Sequence, residues 1–182
     1  IGEQIGNLEA AGEQERYVFG FEESYGYLSG GYVRDKDAVV ASMLICEMVA
    51  YYKSQGLTLI DVLDNIYKKY GYYYSSQKSF TCEGQAGMKQ IAGIMDRLAN
   101  NPPKLIGGMQ VVVFKNLNTS ESLDIASGNK SVIDLPKSNV LGFYFADGSS
   151  LIVRPSGTEP KIKLYLSAVG ATNDEAVSKR QT

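Results

Sequence analysis

Hydrophobic and polar positions follow two different periods along this chain of 182 residues. The first 73 or so are dominated by helical spacing. From Ala38 to Lys53 a long apolar-periodic segment predicts a helix. Asp35 or Asp37 is placed to cap it, and both acids suit the positive end of its dipole. Gly56 ends it. Thr58-Leu59-Ile60-Asp61 has capping-box spacing, with Asp in place of Glu, and opens a second helix reaching Tyr70. Ile60, Leu63, Ile66 and Tyr67 form its apolar stripe, and Gly71 stops it. Ahead of this pair, Glu9 to Arg16 reads as a polar loop and Tyr17 to Phe21 as a short buried strand. Tyr25 to Val33 carries Gly26, Gly30 and Gly31, enough glycine for a mobile or close-fitting loop.

Beyond Gly71 the period changes. Tyr72 to Thr81 alternates weakly and predicts a strand. Glu83 to Asn100 is helical, with Met88, Ile91, Ile94, Met95 and Leu98 on one face. Met109 to Phe114, Val140 to Phe145, Ser149 to Val153 and Lys161 to Val169 predict strands, and the Asp147-Gly148 pair a hairpin turn. Asn116 to Lys137 is polar, with room for at most a short strand or turn. Asn173 to Lys179 begins a last helix. The pattern therefore divides the chain in two. Residues 1–73 look like the closing strand and helices of an α/β domain, and residues 74–182 like an α+β unit whose antiparallel sheet has helices on one face.

Composition narrows the function classes. With 44% hydrophobic and 21% charged residues the chain has the make-up of a globular protein. No apolar run nears the roughly 20 residues that span a bilayer, so no membrane partner is expected. A net charge of −2 argues against nucleic acid as a partner, because a polyphosphate footprint normally needs a strongly basic face. Histidine is absent, which excludes a histidine-dependent triad or histidine-held zinc in this chain. Cys46 and Cys82 lack metal-ligand spacing and read as free thiols of a cytoplasmic protein.

Two short runs carry the chemistry. Arg154-Pro155-Ser156-Gly157-Thr158-Glu159-Pro160-Lys161 joins two β-branched stretches. Its prolines stiffen the turn, and Gly157 suits a bend that a Cβ would obstruct. The amides of Ser156, Gly157 and Thr158 can then line a small concavity beside two hydroxyls, with Arg154 able to grip two oxygens at once. That chemistry suits a phosphate dianion, although an ordinary hairpin loop has the same composition. Gly20-Phe21-Glu22-Glu23-Ser24-Tyr25-Gly26 stands at the end of the predicted strand, the side of a sheet where ligands usually bind. A carboxylate and a hydroxyl there suit a vicinal diol.

Together, in this order and spacing, the runs resemble the phosphate loop and sugar-binding loop of the α-D-phosphohexomutases, and the resemblance covers essentially the whole chain. It implies an incomplete third, α/β domain followed by the small α+β last domain, joined by a hinge. It also implies that Glu22 and Ser24 hold sugar hydroxyls and that Arg154, Ser156, Gly157 and Thr158 bind phosphate. Lys36 matches a family lysine near the reacting hydroxyl. Its flanking aspartates favour a charge-stabilising role over proton abstraction. Arg34 has two readings, an ion pair with Asp37 or contact with the ligand. Glu159 can orient Arg154, and Lys161 can add a positive charge or simply begin a strand.

By the same resemblance the whole enzyme interconverts glucose 1-phosphate and glucose 6-phosphate through a phosphoserine and glucose 1,6-bisphosphate. Its Mg2+ is held by an Asp-rich loop. This chain has neither the Ser-His-Asn run nor the Asp-Gly-Asp-x-Asp-Arg run, so no metal ligand is expected in it. The expectation is a C-terminal fragment, inactive alone, whose partners are a phosphosugar and the remaining N-terminal domains. Phosphomannomutase, phosphopentomutase and phosphoglucosamine mutase are alternatives within the family. A non-catalytic phosphosugar-binding module and a nucleic-acid-binding sheet are alternatives outside it.

Overall fold

A computed structural model describes residues 1–22, 25–82, 84–157 and 159–181. The chain forms two compact units, Ile1–Asn65 and Ile66–Thr182. In chain order the first holds helix α1 (Gly2–Ala10), a 3-10 turn at Gln14–Arg16, strands β1 (Phe19–Phe21) and β2 (Tyr27–Ser29), and helix α2 (Ala38–Ser54). Helix α3 (Leu59–Tyr70) runs across the division.

The helix ends form for the reasons written in their residues. Asp37 Oδ1 accepts from the amides of Val39 and Val40 at 2.8 and 3.2 Å, so Asp37 rather than Asp35 is the cap of α2. Thr58 and Asp61 make a reciprocal box. The Thr58 amide donates to Asp61 Oδ2 at 2.8 Å, and the Asp61 amide donates to Thr58 Oγ1 at 3.2 Å. Gly71 stops α3 with φ at 95°, its amide donating to the Tyr67 carbonyl at 2.8 Å.

Three expectations for the first unit are corrected. The opening residues are helical up to Ala10, with Ile5 buried, where Glu9 to Arg16 reads as loop. Part of the glycine-rich stretch after Tyr25 is strand: β2 pairs antiparallel with β1 and buries Leu28 completely. The strand expected to be buried is open, with Phe19 and Phe21 46% and 68% exposed. Helices α2 and α3 likewise expose Val39, Met43, Ile60 and Leu63. Among the described residues β1 has no strand neighbour other than β2, and each of these apolar positions is left at least 45% exposed. An apolar stripe states that a partner surface is needed, and here the described elements of the unit supply it only in part.

The second unit is an antiparallel sheet with helices on one face. Its elements are β3 (Tyr72–Thr81), α4 (Gly84–Asn100), β4 (Leu105–Ile106), β5 (Met109–Asn116), β6 (Glu121–Asp124), β7 (Lys130–Val132), β8 (Leu141–Phe145), β9 (Ser150–Pro155), β10 (Lys161–Gly170) and α5 (Asn173–Gln181). Strand order is β3-β10-β9-β8-β5-β6-β7, with β4 beside β5. The region expected to hold at most one short strand holds two, β6 and β7. Asx-type turns make the pair possible: Asn116 Oδ1 accepts from Asn118, and Asp124 Oδ1 from Ser127.

Alternation sends Phe143, Phe145, Val153 and Ile162 to one face, where Ile91 and Met95 of α4 close the core. Phe143 is 1% exposed. Removing its ring would cost about 3–5 kcal/mol, a large share of the stability of a unit this size. Helix α5 covers the same face further along, its buried Ala176 against Gly170 of β10.

A polar knot fastens α5. Lys179 Nζ lies 2.7 Å from Asp147 Oδ2 and 2.6 Å from Glu175 Oε1, and donates to the Val169 carbonyl at 2.7 Å. The fully buried Ser149 donates to Asp147 and accepts from the Val169 amide at 2.9 Å. Burial pushes the Asp147 carboxyl upward, but hydrogen bonds from Lys179 and Ser149 outweigh it and hold the group below its ordinary 3.8. The Lys179 hydrogen bond likewise lowers Glu175, and the bonds to Asp147 and Glu175 raise Lys179. Both carboxylates hold protons less tightly when folded, so their stabilisation is present above about pH 4 and lost as pH falls through the lowered values. The lysine contribution is present below 10.5 and lost as pH rises through its raised value. The melting temperature of the second unit is expected to fall steeply on acidification below about pH 4, and less steeply in Lys179→Met, in circular-dichroism melts across pH. Equal acid slopes in the two proteins would refute the latch.

Candidate functional site

In the first unit a small pocket of about 80 Å³ is lined by Ile1, Gly2, Glu22, Leu28, Arg34, Asp35 and Lys36. Glu22 follows β1 directly. Its amide donates to the Gly26 carbonyl at 2.8 Å, closing a loop in which Tyr25 takes φ 64°. Ser24 lies outside the described residues. Across the pocket Lys36 Nζ approaches Glu22 Oε2 at 3.3 Å.

The aspartates flanking Lys36 do other work. Asp35 Oδ1 accepts from the Lys36 backbone amide at 2.7 Å, and Asp37 caps α2 while accepting from the Tyr32 hydroxyl. That phenol bond, with the Val40 and Val39 amides, holds the Asp37 carboxyl below its ordinary value and raises the Tyr32 phenol. The Asp37 amide donates to the Tyr27 carbonyl at 2.9 Å, tying the 34–37 turn to β2. Arg34 pairs with Glu9 of α1, not with Asp37. It reaches Glu9 over a glycine face: Cβ atoms at Gly2 and Gly6 would stand 3.2 and 3.4 Å from its carbonyl oxygen and Nη1. The role of α1 in placing Arg34 was not visible in sequence, although Gly2 and Gly6, four apart and ahead of Glu9, were the available signal.

In the second unit Arg154 is the penultimate residue of β9 and Lys161 opens β10. The register pairs Lys163 with Arg154 and Pro155 with Ile162. Val153 and Ile162 face the core, so Arg154 and Lys163 share the opposite face, with Ile152 and Tyr165 next along it. Arg154 is exposed, and no hydrogen bond or ion pair of it is found among the described residues. Lys163 was missed by motif reading; hairpin register and alternation were the signal.

The loop itself differs from the expected nest of amides. The Ser156 amide donates to the Lys161 carbonyl at 2.8 Å, closing the turn, so it is not directed at a ligand. The Ser156 hydroxyl accepts from the Glu159 amide at 3.2 Å. A Cβ at Gly157 would meet nothing within 4 Å, so its surroundings leave room for one. Thr158 lies outside the described residues. Glu159 pairs with Lys161 at 2.7 Å rather than orienting Arg154.

Comparison with known proteins matches this architecture. The family model described as "Phosphoglucomutase/phosphomannomutase, alpha/beta/alpha domain III" matches residues 7–70, and that described as "Phosphoglucomutase/phosphomannomutase, C-terminal domain" matches residues 82–180. A phosphoglucomutase of Staphylococcus aureus is 41% identical over 179 residues, which cover 98% of this chain and 32% of that protein. A phosphoglucomutase of Staphylococcus haemolyticus is 38% identical over 92% of this chain and 30% of its own length. The open form of the exocytosis-sensitive phosphoprotein parafusin (phosphoglucomutase) of Paramecium shares the fold, with a TM-score of 0.62 at 20% identity over 99% of this chain and 31% of that one. The chain belongs to the phosphoglucomutase/phosphomannomutase family, whose third and C-terminal domains it matches. It spans about a third of the length of these curated relatives.

The capping geometry generates a direct check. Asp37→Ala removes the acceptor for two helix amides and for Tyr32, and is expected to lower the melting temperature and the helical signal. Asp37→Asn, which keeps a cap, is expected to change both less. The two variants are compared by circular dichroism, and equal losses would refute the capping role.

Proposed function

We propose that this chain supplies the sugar-binding and phosphate-binding parts of a cytoplasmic phosphoglucomutase that interconverts glucose 1-phosphate and glucose 6-phosphate. Residues 1–73 are assigned to sugar binding and 74–182 to phosphate binding. The observation that carries the reading is the exposed Arg154 standing opposite Lys163 on one sheet face, at the mouth of the Ser156 loop. Two cations and a hydroxyl there suit a dianionic phosphate, with the planar guanidinium gripping two oxygens. Ser156 contributes through its hydroxyl, Gly157 through its amide, and Thr158 belongs to the same loop.

Glu22 and Ser24 are assigned to the sugar hydroxyls. A carboxylate accepts from neighbouring hydroxyls, and the Lys36 ammonium beside it can steady negative charge on a reacting oxygen. Arg34 is assigned to the rim of the same pocket. In the complete enzyme a bisphosphorylated sugar, glucose 1,6-bisphosphate, passes between two orientations. The Arg154 loop then holds whichever phosphate is not reacting. A Mg2+ ion would stabilise the transferring phosphoryl group. Among the described residues no group of three or more His, Cys, Asp or Glu side chains could hold a metal. No residue of this chain is assigned to the ion, and no step here runs through it. The remaining domains of the enzyme are its proposed partners. No helix among the described residues is long and apolar enough to cross a membrane.

The identity of the named relatives favours glucose over mannose, and side-by-side kinetics on the two hexose phosphates tests that preference. In the complete enzyme Arg154→Ala is expected to raise KM and lower kcat/KM by about a hundredfold. Calorimetric titration with glucose 1,6-bisphosphate is expected to lose affinity in step. Wild-type kinetics in that variant would remove the phosphate assignment.

A further inference from the structure

Gly26 is buried although it sits at the end of a short surface loop. What covers it is the side chain of Lys36. A Cβ built on Gly26 would overlap Lys36 Cδ and stand 2.9 Å from Cγ and 3.3 Å from Cε, well inside the ordinary carbon–carbon contact of about 3.5–4.0 Å. Backbone conformation does not explain the glycine. Among the described residues of this loop the one with positive φ is Tyr25, and Gly26 is not among the positive-φ glycines. Space explains it instead.

The backbones at both ends of the lysine's path are tied down. The turn carrying Lys36 is held by the Asp35 carboxylate on its amide and by the Asp37 amide on the Tyr27 carbonyl. Glu22 is held by its amide on the Gly26 carbonyl. Gly26 thus anchors the backbone of Glu22 and, on its bare Cα, lets the lysine stem cross to the Glu22 carboxylate.

We propose that Gly26 is a positioning residue whose missing Cβ forms a trough for the Lys36 stem, presenting the Lys36 ammonium and the Glu22 carboxylate as one preset pair. The functional weight of that pair rests on the reading of Glu22 and Lys36 as sugar-facing. The three atoms nearest a methyl group on Gly26 all belong to the Lys36 side chain, which must swing aside to make room for it. The ammonium then leaves Glu22. Stability and activity separate at this position, as a purely structural glycine would not allow.

The test uses the complete enzyme with Gly26→Ala, Lys36→Ala, the double variant, and Gly31→Ala as a control, since a Cβ at Gly31 would meet nothing within 4 Å. Lys36→Ala is expected to lower kcat/KM by about a hundredfold. Gly26→Ala is expected to lower it by about tenfold or more with the melting temperature near that of the parent. The double variant should be no worse than Lys36→Ala, because the glycine acts through the lysine. Losses that multiply, or parental kinetics in Gly26→Ala while Lys36→Ala is impaired, would overturn the proposal. A second readout does not depend on activity. At one fixed pH, the 13C-methyl NMR resonance of reductively 13C-methylated Lys36 should shift in Gly26→Ala and in Glu22→Gln, but not in Gly31→Ala, because the ammonium changes neighbours. An unshifted resonance in Gly26→Ala overturns the trough. A shifted resonance with parental kinetics in Lys36→Ala upholds the trough and removes only the sugar-site reading of the lysine.

Discussion

The register of β9 against β10 is the constraint on which the second unit depends. It sets Pro155 opposite Ile162 and Arg154 opposite Lys163. Because side chains alternate, one choice of register sends Val153, Ile162 and Leu164 under α4 and both cations to the other face. A slip of one residue would bury Arg154 and expose the core, at the cost of desolvating an unpaired charge. The hydrophobic core is therefore what keeps the two basic side chains on the open face. The Asp147-Gly148 turn, with Gly148 at φ 87°, joins β8 to β9 and continues the same alternation.

The first unit positions its charges by a different device. Arg34 and Lys36 are two apart on one turn, and each runs over glycine to a carboxylate. Arg34, its carbonyl against Gly2, passes Gly6 to Glu9, and Lys36 passes Gly26 to Glu22. Each pair is about half exposed, so the attraction itself is weak and screened. What defines the geometry is the absence of side-chain bulk along the path together with a backbone held by Asp35, Asp37 and Tyr32. Exposed ion pairs gain little stability from such an arrangement, but they gain direction.

Local signals were legible where a few neighbouring residues complete the interaction among themselves. The Thr58–Asp61 box, the cap of α2 and the Asp147-Gly148 turn were of this kind, as were the long strands of the sheet and the apolar face of α4. The polar stretch after Asn116 hid two strands because their pairing depends on β5, not on their own composition. The fate of the Ser156 amide was hidden for the same reason: its acceptor is Lys161, across the loop. Glu159 chose Lys161 over Arg154 because that hairpin brings their side chains together.

The sequence by itself determined the two periods, the helix ends and the two motifs, since each depends on contacts within about one helical turn or on the alternation of a single strand. Only the tertiary structure decided which charges face each other. Arg34 with Glu9, Lys36 with Glu22 and Arg154 beside Lys163 are separated in the chain by 25, 14 and 9 positions, and chain proximity says nothing about them. It also decided that Gly26 makes room for a lysine rather than a bend for the backbone. Local composition permits either use of glycine, and the choice is made by what packs against it.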